Sequence, residues 1–314
     1  MIPRVQLSDG SEMPVIGLGI REMPVERVER AVRDAVDVGY RHFDCAAVHG
    51  SERQVGAALR GKMAEGVVGR KDLFVCSKLW NTCHRPERVV AACRSSLQNL
   101  GLDYLDLYLM HWPVAFQDGD EPFPRDADGR LLHEDADYLP AYREMEQCVR
   151  LGLARSIGLA NFNSEQLARV LSVATIPPVN NQVECHPYLN QLTLAKFCAK
   201  RGVAVTCFSP LGAPSPVAGI SGTPGLLGDA RLRPLCAKYR KTPAQIVLRY
   251  LVQRGTYPLP KSQDKDHMIE NTQIFDFDLS TGDMHDLDVF DSRMRFYPFI
   301  ESKDDYNYPF GVDF

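Results

Sequence analysis

The sequence predicts a (β/α)₈ barrel formed by one domain over residues 1–314. Three observations carry this expectation. Eight short apolar runs occur along the chain, helical periodicity fills most of the intervals between them, and the length of 314 residues suits one barrel with added loops. The competing architecture for such alternation is an open, doubly wound sheet, whose dinucleotide fingerprint needs a third glycine after the first strand. Here the first run leads into Gly17-Leu18-Gly19-Ile20-Arg21-Glu22, and that glycine is absent.

In chain order the runs are 15–19, 40–45, 73–79, 105–111, 154–160, 179–185, 203–209 and 257–261. They are rich in Val, Leu, Ile and Phe, which suits strands buried on both faces. Between the first two lie Val25, Val28, Val32 and Val36, spaced for one helix face, with Pro24 expected at the first helical position. Val89, Val90, Cys93, Leu97 and Leu100 mark a helix that Gly101 ends, and Leu167, Val170 and Leu171 mark another. Thr242-Pro243-Ala244-Gln245 opens a further helix with a capping box. Two connections are long and polar: 114–140, with eight acidic residues, and 211–226, rich in proline and glycine. Both follow strands, so they are expected on the face where a barrel does its chemistry. The tail 294–314 is aromatic enough to pack back onto the barrel.

Composition excludes several classes of function. With 45% hydrophobic and 24% charged residues the chain is globular, and a net charge of −4 without a basic block gives no footprint for nucleic acid or an anionic membrane. No apolar run reaches spanning length, and the polar start has no signal-peptide core. Nine scattered cysteines without a Cys-x-x-Cys pair, and no glycosylation sequon, point to reduced thiols in a cytoplasmic protein. A monomer is the expected form. No metal is expected, because Cys76, Cys83 and His84 lack ligand spacing.

Polar residues recur at the carboxyl ends of the predicted strands: Asp44, Lys78 and His111. Each alone has a plain structural reading, as a helix cap, a solvated lysine or a core histidine. Their convergence at one barrel mouth makes a catalytic reading the stronger one.

These residues sit in longer segments. They are Gly39-Tyr40-Arg41-His42-Phe43-Asp44-Cys45-Ala46, Ser77-Lys78-Leu79-Trp80, Leu107-Tyr108-Leu109-Met110-His111-Trp112-Pro113, Ser156-Ile157-Gly158-Leu159-Ala160-Asn161-Phe162, Asn181-Gln182-Val183-Glu184-Cys185-His186-Pro187-Tyr188, Phe208-Ser209-Pro210-Leu211-Gly212 and Leu259-Pro260-Lys261-Ser262. In this order the series resembles the aldo-keto reductases, in particular the aldose and carbonyl reductase branch. The resemblance implies a barrel oxidoreductase that binds NADPH and passes hydride to a small-molecule carbonyl. It assigns Asp44, Lys78 and His111 to three of four catalytic positions. The fourth, a tyrosine in the pattern Asp-x-Ala-x-x-Tyr-x-x-Glu, is occupied by His49, since Asp44, Ala46 and Glu52 keep their spacing.

That change alters the proton chemistry. A neighbouring Lys⁺ makes a phenol a better acid, but it disfavours an imidazolium. A neutral His49 can hold a carbonyl oxygen yet gives up its proton poorly. Two readings follow: a reductase restricted to activated carbonyls, dicarbonyls or steroid ketones, and a catalytically weak nicotinamide-nucleotide-binding protein of the same fold.

The resemblance also assigns the cofactor contacts. Asn161 and Gln182 would hold the nicotinamide amide, although Ala160 replaces the serine that precedes Asn161 in the family pattern. Phe208 would stack on the ring or be core, and Ser209 and Leu211 would meet the pyrophosphate. Lys261, Ser262, Glu270 and Asn271 match the 2′-phosphate clamp, whose threonine and arginine are here Asp264 and His267. The loss of a guanidinium fork and the gain of a carboxylate bring NADH into question beside NADPH. In the substrate pocket the resemblance places Trp112 and Phe123, with Arg21 where a tryptophan is usual. Arg21 would either attract an anionic group on the substrate or pair with Glu22.

Overall fold

The computed structural model describes residues 2–213 and 225–312. An N-terminal hairpin, β1 (Arg4–Gln6) and β2 (Glu12–Pro14), precedes the barrel strands β3 (Leu18–Gly19), β4 (His42–Asp44), β5 (Phe74–Leu79), β6 (Leu105–Met110), β7 (Ala154–Ala160), β8 (Asn180–Glu184), β9 (Ala204–Phe208) and β10 (Tyr257–Pro258). The barrel strands pair in parallel, each with the next in sequence, from β3 to β10. Backbone bonds from Gly17 N–H to Pro258 C=O (3.2 Å) and from Gly19 N–H to Pro260 C=O (3.1 Å) join the last strand to the first and close the barrel. The seam needs glycine: a Cβ on Gly19 would stand 2.8 Å from the Leu259 carbonyl oxygen.

The helices are α1 (Val25–Val38), α2 (Glu52–Ala64), α3 (Pro86–Leu100), α4 (Tyr138–Arg150), α5 (Ser164–Val173), α6 (Leu192–Ala199), α7 (Arg233–Tyr239), α8 (Pro243–Gln253), α9 (Lys265–Thr272) and α10 (Thr281–Asp288). The capping box at Thr242 and Gln245 is present, and Gly101 ends α3 in the left-handed conformation. Pro24 is displaced by one position from its expected place. It is the cap before Val25 rather than the first helical residue, with ψ of 129°.

All eight expected runs become strands, the first and last with two paired residues each. The period of two along a strand sorts their side chains. Outward residues such as Val75, Tyr108 and Met110 join the large core under the helices. Inward residues Phe74, Cys76, Leu107 and Leu109 form a separate inner core, plugged from below by Leu7 and Met13 of the hairpin. Composition did not reveal that hairpin, because its strands are short and partly exposed.

The 114–140 connection is more ordered than a polar loop suggests: Phe116 bridges to His133 and Arg125 to Leu131. In the 211–226 connection, residues 214–224 lie outside the described residues. The tail returns to the barrel as expected, with Phe310 against Trp112 and the Pro309 carbonyl accepting from Asn163 Nδ2 at 3.0 Å.

Candidate active site

The strand alternation that fills the inner core also delivers the polar groups above it. On β5, Phe74 and Cys76 point inward, and two residues on so does Lys78. The same count carries Leu107 and Leu109 up to His111. Asp44 ends β4, and Gln182 stands on β8 across the barrel.

Lys78 is 1% exposed, and its ammonium donates to both carboxylate oxygens of Asp44 and to the Cys45 carbonyl, each at 2.8 Å. An ammonium has three protons, so all are engaged, and Lys78 acts on its surroundings through charge alone. Burial works against both charges, yet the pairing holds the Asp44 carboxyl below and the Lys78 ammonium above their usual ranges. Gln182, expected at the nicotinamide amide, donates its Nε2 to Asp44 Oδ1 at 2.8 Å.

His49 lies on the short 3₁₀ turn that follows β4, and its ring meets that of His111 edge to face at 6.0 Å between centroids. Burial pushes the His49 imidazole down to about 3; the Lys78 charge adds to the effect and Asp44 opposes it. The sequence points to the lysine, whereas desolvation is the larger cause. His111 is lowered for the same reasons, with burial first. Both rings are therefore neutral near pH 7. Neither Nδ1 has a partner in its enclosed position, which favours the ring proton on Nε2, the open edge. The site thus offers two neutral N–H donors beside a fixed positive charge.

A cleft of about 650 Å³ opens beside these groups. Phe208, Ser209, Leu211, Lys261, Ser262, His267, Glu270 and Asn271 line it, together with Gly19, Arg21 and Asp44. Asn161 and Ser209 follow directly on β7 and β9 with left-handed backbone, φ of 61° and 49°. Such conformations are costly for serine and cluster where a site needs them. Asn161 donates Nδ2 to the His111 carbonyl at 3.0 Å, while its Oδ1 is enclosed without a partner. That orphaned acceptor, the Phe208 ring and a cleft of this volume fit a nicotinamide nucleotide.

At the far end of the cleft, Asp264 is the cap of α9, its carboxylate accepting from Asp266 N–H (2.8 Å) and His267 N–H (3.0 Å). It fills the helix N-terminus, where an anion would otherwise be favoured. Lys265 turns away to Asp34 at 3.9 Å. Ser262 bonds the Asp264 backbone, and Glu270 accepts from Thr242 Oγ1 at 2.6 Å, so these two shape the loop.

Of the expected pocket residues, Trp112 is buried against Phe299, with centroids 4.4 Å apart, and Phe123 is partly exposed on Trp80 at 5.3 Å. Arg21 pairs with exposed Glu22 at 3.1 Å, and its guanidinium carbon sits over the Tyr297 ring at 4.0 Å. Sequence reasoning missed Trp80, Phe116, Tyr297 and Phe299. Trp80 stacks edge-on with His111 at 5.1 Å and anchors the 114–140 connection through Nε1 to the Pro122 carbonyl at 2.7 Å. Its place two residues after Lys78 was the available signal; the tail aromatics signalled only that the tail packs back onto the barrel. Among the described residues no group of His, Cys, Asp and Glu has the arrangement of a metal site, and no helix is long and apolar enough to cross a membrane.

Comparison with known proteins places this geometry among relatives. The model described as "Aldo/keto reductase family" matches residues 15–292. Aldo-keto reductase family 1 member A1-A of Danio rerio is 46% identical over 297 residues, covering 94% of this chain and 92% of that protein. Aldo-keto reductase family 1 member A1 of Sus scrofa is 45% identical over 293 residues, 93% of this chain and 90% of the other. The solved structure of the aldose reductase from Schistosoma japonicum superposes with a TM-score of 0.94 at 38% identity, covering 99% of this chain and all of that one.

Proposed function

The chain belongs to the aldo/keto reductase family and is an NADP-dependent oxidoreductase, and from that premise we propose that it reduces activated carbonyls with His49 in the position of the proton donor. The observation that carries this reading is the convergence of the Lys78–Asp44 pair and two neutral imidazoles on one barrel mouth, beside a cleft sized for a nucleotide.

Asn161, Phe208, Ser209 and Leu211 would hold the nicotinamide and pyrophosphate ends, and Lys261, Ser262, His267 and Asn271 the adenosine end. When bound, NADPH supplies the hydride that the carbonyl carbon accepts. The proton for the carbonyl oxygen has to arrive through the protein. His49 and His111 can each direct an N–H at that oxygen, polarising the C=O bond and stabilising the developing alkoxide. Full transfer from a neutral imidazole is unfavourable, so the proton step draws on the small protonated fraction of His49. Carbonyls already activated by a neighbouring electron-withdrawing group, such as α-dicarbonyls and quinones, need that step least. Gln182 holds Asp44 in register with Lys78, and so acts through the ion pair as well as beside the cofactor.

The cleft's adenosine end supports a weaker preference for the 2′-phosphate than its lysine alone would give. Asp264 already satisfies the α9 N-terminus, and His267 has no permanent charge. Cofactor oxidation with NADPH and with NADH, against simple aldehydes, α-dicarbonyls, quinones and steroid ketones, tests the reading. Turnover of dicarbonyls or quinones well above simple aldehydes supports it. Cofactor binding with no turnover of any carbonyl replaces it with the binding-protein alternative.

A further inference from the structure

Glu184, the last residue of β8, is fully buried and does not belong to the set of groups around His49. An enclosed carboxylate is costly unless several donors face it. Its donors are the backbone N–H of Phe296 (2.6 Å), the backbone N–H of Tyr297 (3.0 Å) and His186 Nε2 (2.9 Å). The segment 291–299 has no helix or strand of its own, and Pro298 has no N–H to give. Among the described residues no backbone bond takes the Phe296 and Tyr297 N–H groups, so this side chain, from a strand 112 residues away, seats them.

What is seated there matters for the cleft. The Tyr297 ring stands at the cleft lining with Arg21 from the β3 side stacked on it at 4.0 Å, and Phe208 from the β9 side meets it at 6.0 Å. Tyr297 therefore spans the two walls between which a nicotinamide would lie. Two residues on, Phe299 packs on Trp112 at 4.4 Å, so the same seating carries the tail to the aromatic pocket.

We propose that Glu184 is a positioning residue whose carboxylate seats the Phe296–Tyr297 backbone and thereby holds Tyr297 as a roof over the cleft, slowing release of whatever nucleotide lies beneath. The proposal rests on the cofactor reading above for the identity of the ligand, and on the geometry alone for the seat.

Glu184→Gln keeps the size of the side chain but presents an NH₂ where a donor needs an acceptor. The test measures NADPH dissociation by stopped flow for wild type, Glu184→Gln, Tyr297→Ala and the double variant, alongside ligand-free tryptophan fluorescence and trypsin cleavage after Arg293 and Arg295. Because Glu184 acts through Tyr297, both single variants should release NADPH at least about fivefold faster, and the double variant no faster than the worse single one. Ligand-free Glu184→Gln should also show altered tryptophan emission and faster tail cleavage. An unchanged release rate in Glu184→Gln, or effects that multiply in the double variant, overturns the proposal. If wild type binds no NADPH, the cofactor reading fails instead, and emission and cleavage decide the seat: changed values uphold it and unchanged values overturn it.

Discussion

The imidazole of His49 meets that of His111 edge to face at 6.0 Å, and the enclosed Nδ1 of each has no partner. Two neutral rings, each with a single N–H, thus face the point where the proposed function would hold a carbonyl oxygen. Lys78 adds a positive charge but no proton, because Asp44 and the Cys45 carbonyl engage its whole ammonium.

Carbonyl reduction should accelerate steadily as pH falls. The protonated fraction of His49 drops tenfold for each pH unit above its pKa of about 3. If the cation delivers the proton, log kcat/KM should fall with a slope near −1 between roughly pH 5 and pH 8, without a plateau. His49→Ala should remove the slope. A wild-type profile already flat over that range assigns the proton to another donor.

Acid should begin to destabilise the fold below about pH 6.5, above the ordinary carboxylate range. His42 and His84 are buried and held down to about 4, with desolvation the leading cause in each. Their folded pKa values lie below the unfolded one near 6.5, so the unfolded chain takes up protons first. The stability they contribute is complete above about pH 6.5 and is lost as pH falls toward 4, up to about 3 kcal/mol for each ring. Both nitrogens of His84 lack partners, so His84→Leu leaves no group unpaired and should narrow the loss of Tm between pH 7 and pH 4.5. An equal loss in the variant would rule out His84 as a source.

Cofactor preference should be modest. The dissociation constants for NADPH and NADH in the wild type should differ by less than about a hundredfold, which is ~2.7 kcal/mol. Asp264→Thr with His267→Arg should tighten NADPH by about tenfold and leave NADH nearly unchanged, since threonine still caps α9 and arginine restores a planar fork. A wild-type ratio far above a hundredfold would show that Lys261 and its neighbours suffice alone.

Much of this molecule is readable in its sequence for a simple reason. Strands buried on both faces leave continuous apolar runs, and the first polar residue past each inner-core position marks the barrel mouth. Asp44, Lys78 and His111 were visible on that ground. His49 was visible only as a departure from a spacing that Asp44, Ala46 and Glu52 preserve. Contacts between distant segments left no local trace. The bond from Gln182 to Asp44 spans 138 residues and that from Glu184 to Phe296 spans 112, and nothing in either neighbourhood signals its partner. Asp264 was legible as a change of charge, but its turn into the α9 N-terminus depends on backbone geometry that composition does not encode.

The comparison of wild type with His49→Tyr at neutral pH, on one simple aldehyde, tests the central claim most directly. A phenol beside Lys78 is a competent acid where the imidazole is not. The variant should therefore reduce the aldehyde at least about tenfold faster, with NADPH affinity unchanged, because Asn161, Phe208 and the adenosine-end residues are untouched. A variant that binds NADPH normally yet is no faster than wild type would contradict the claim that proton delivery at position 49 limits this enzyme.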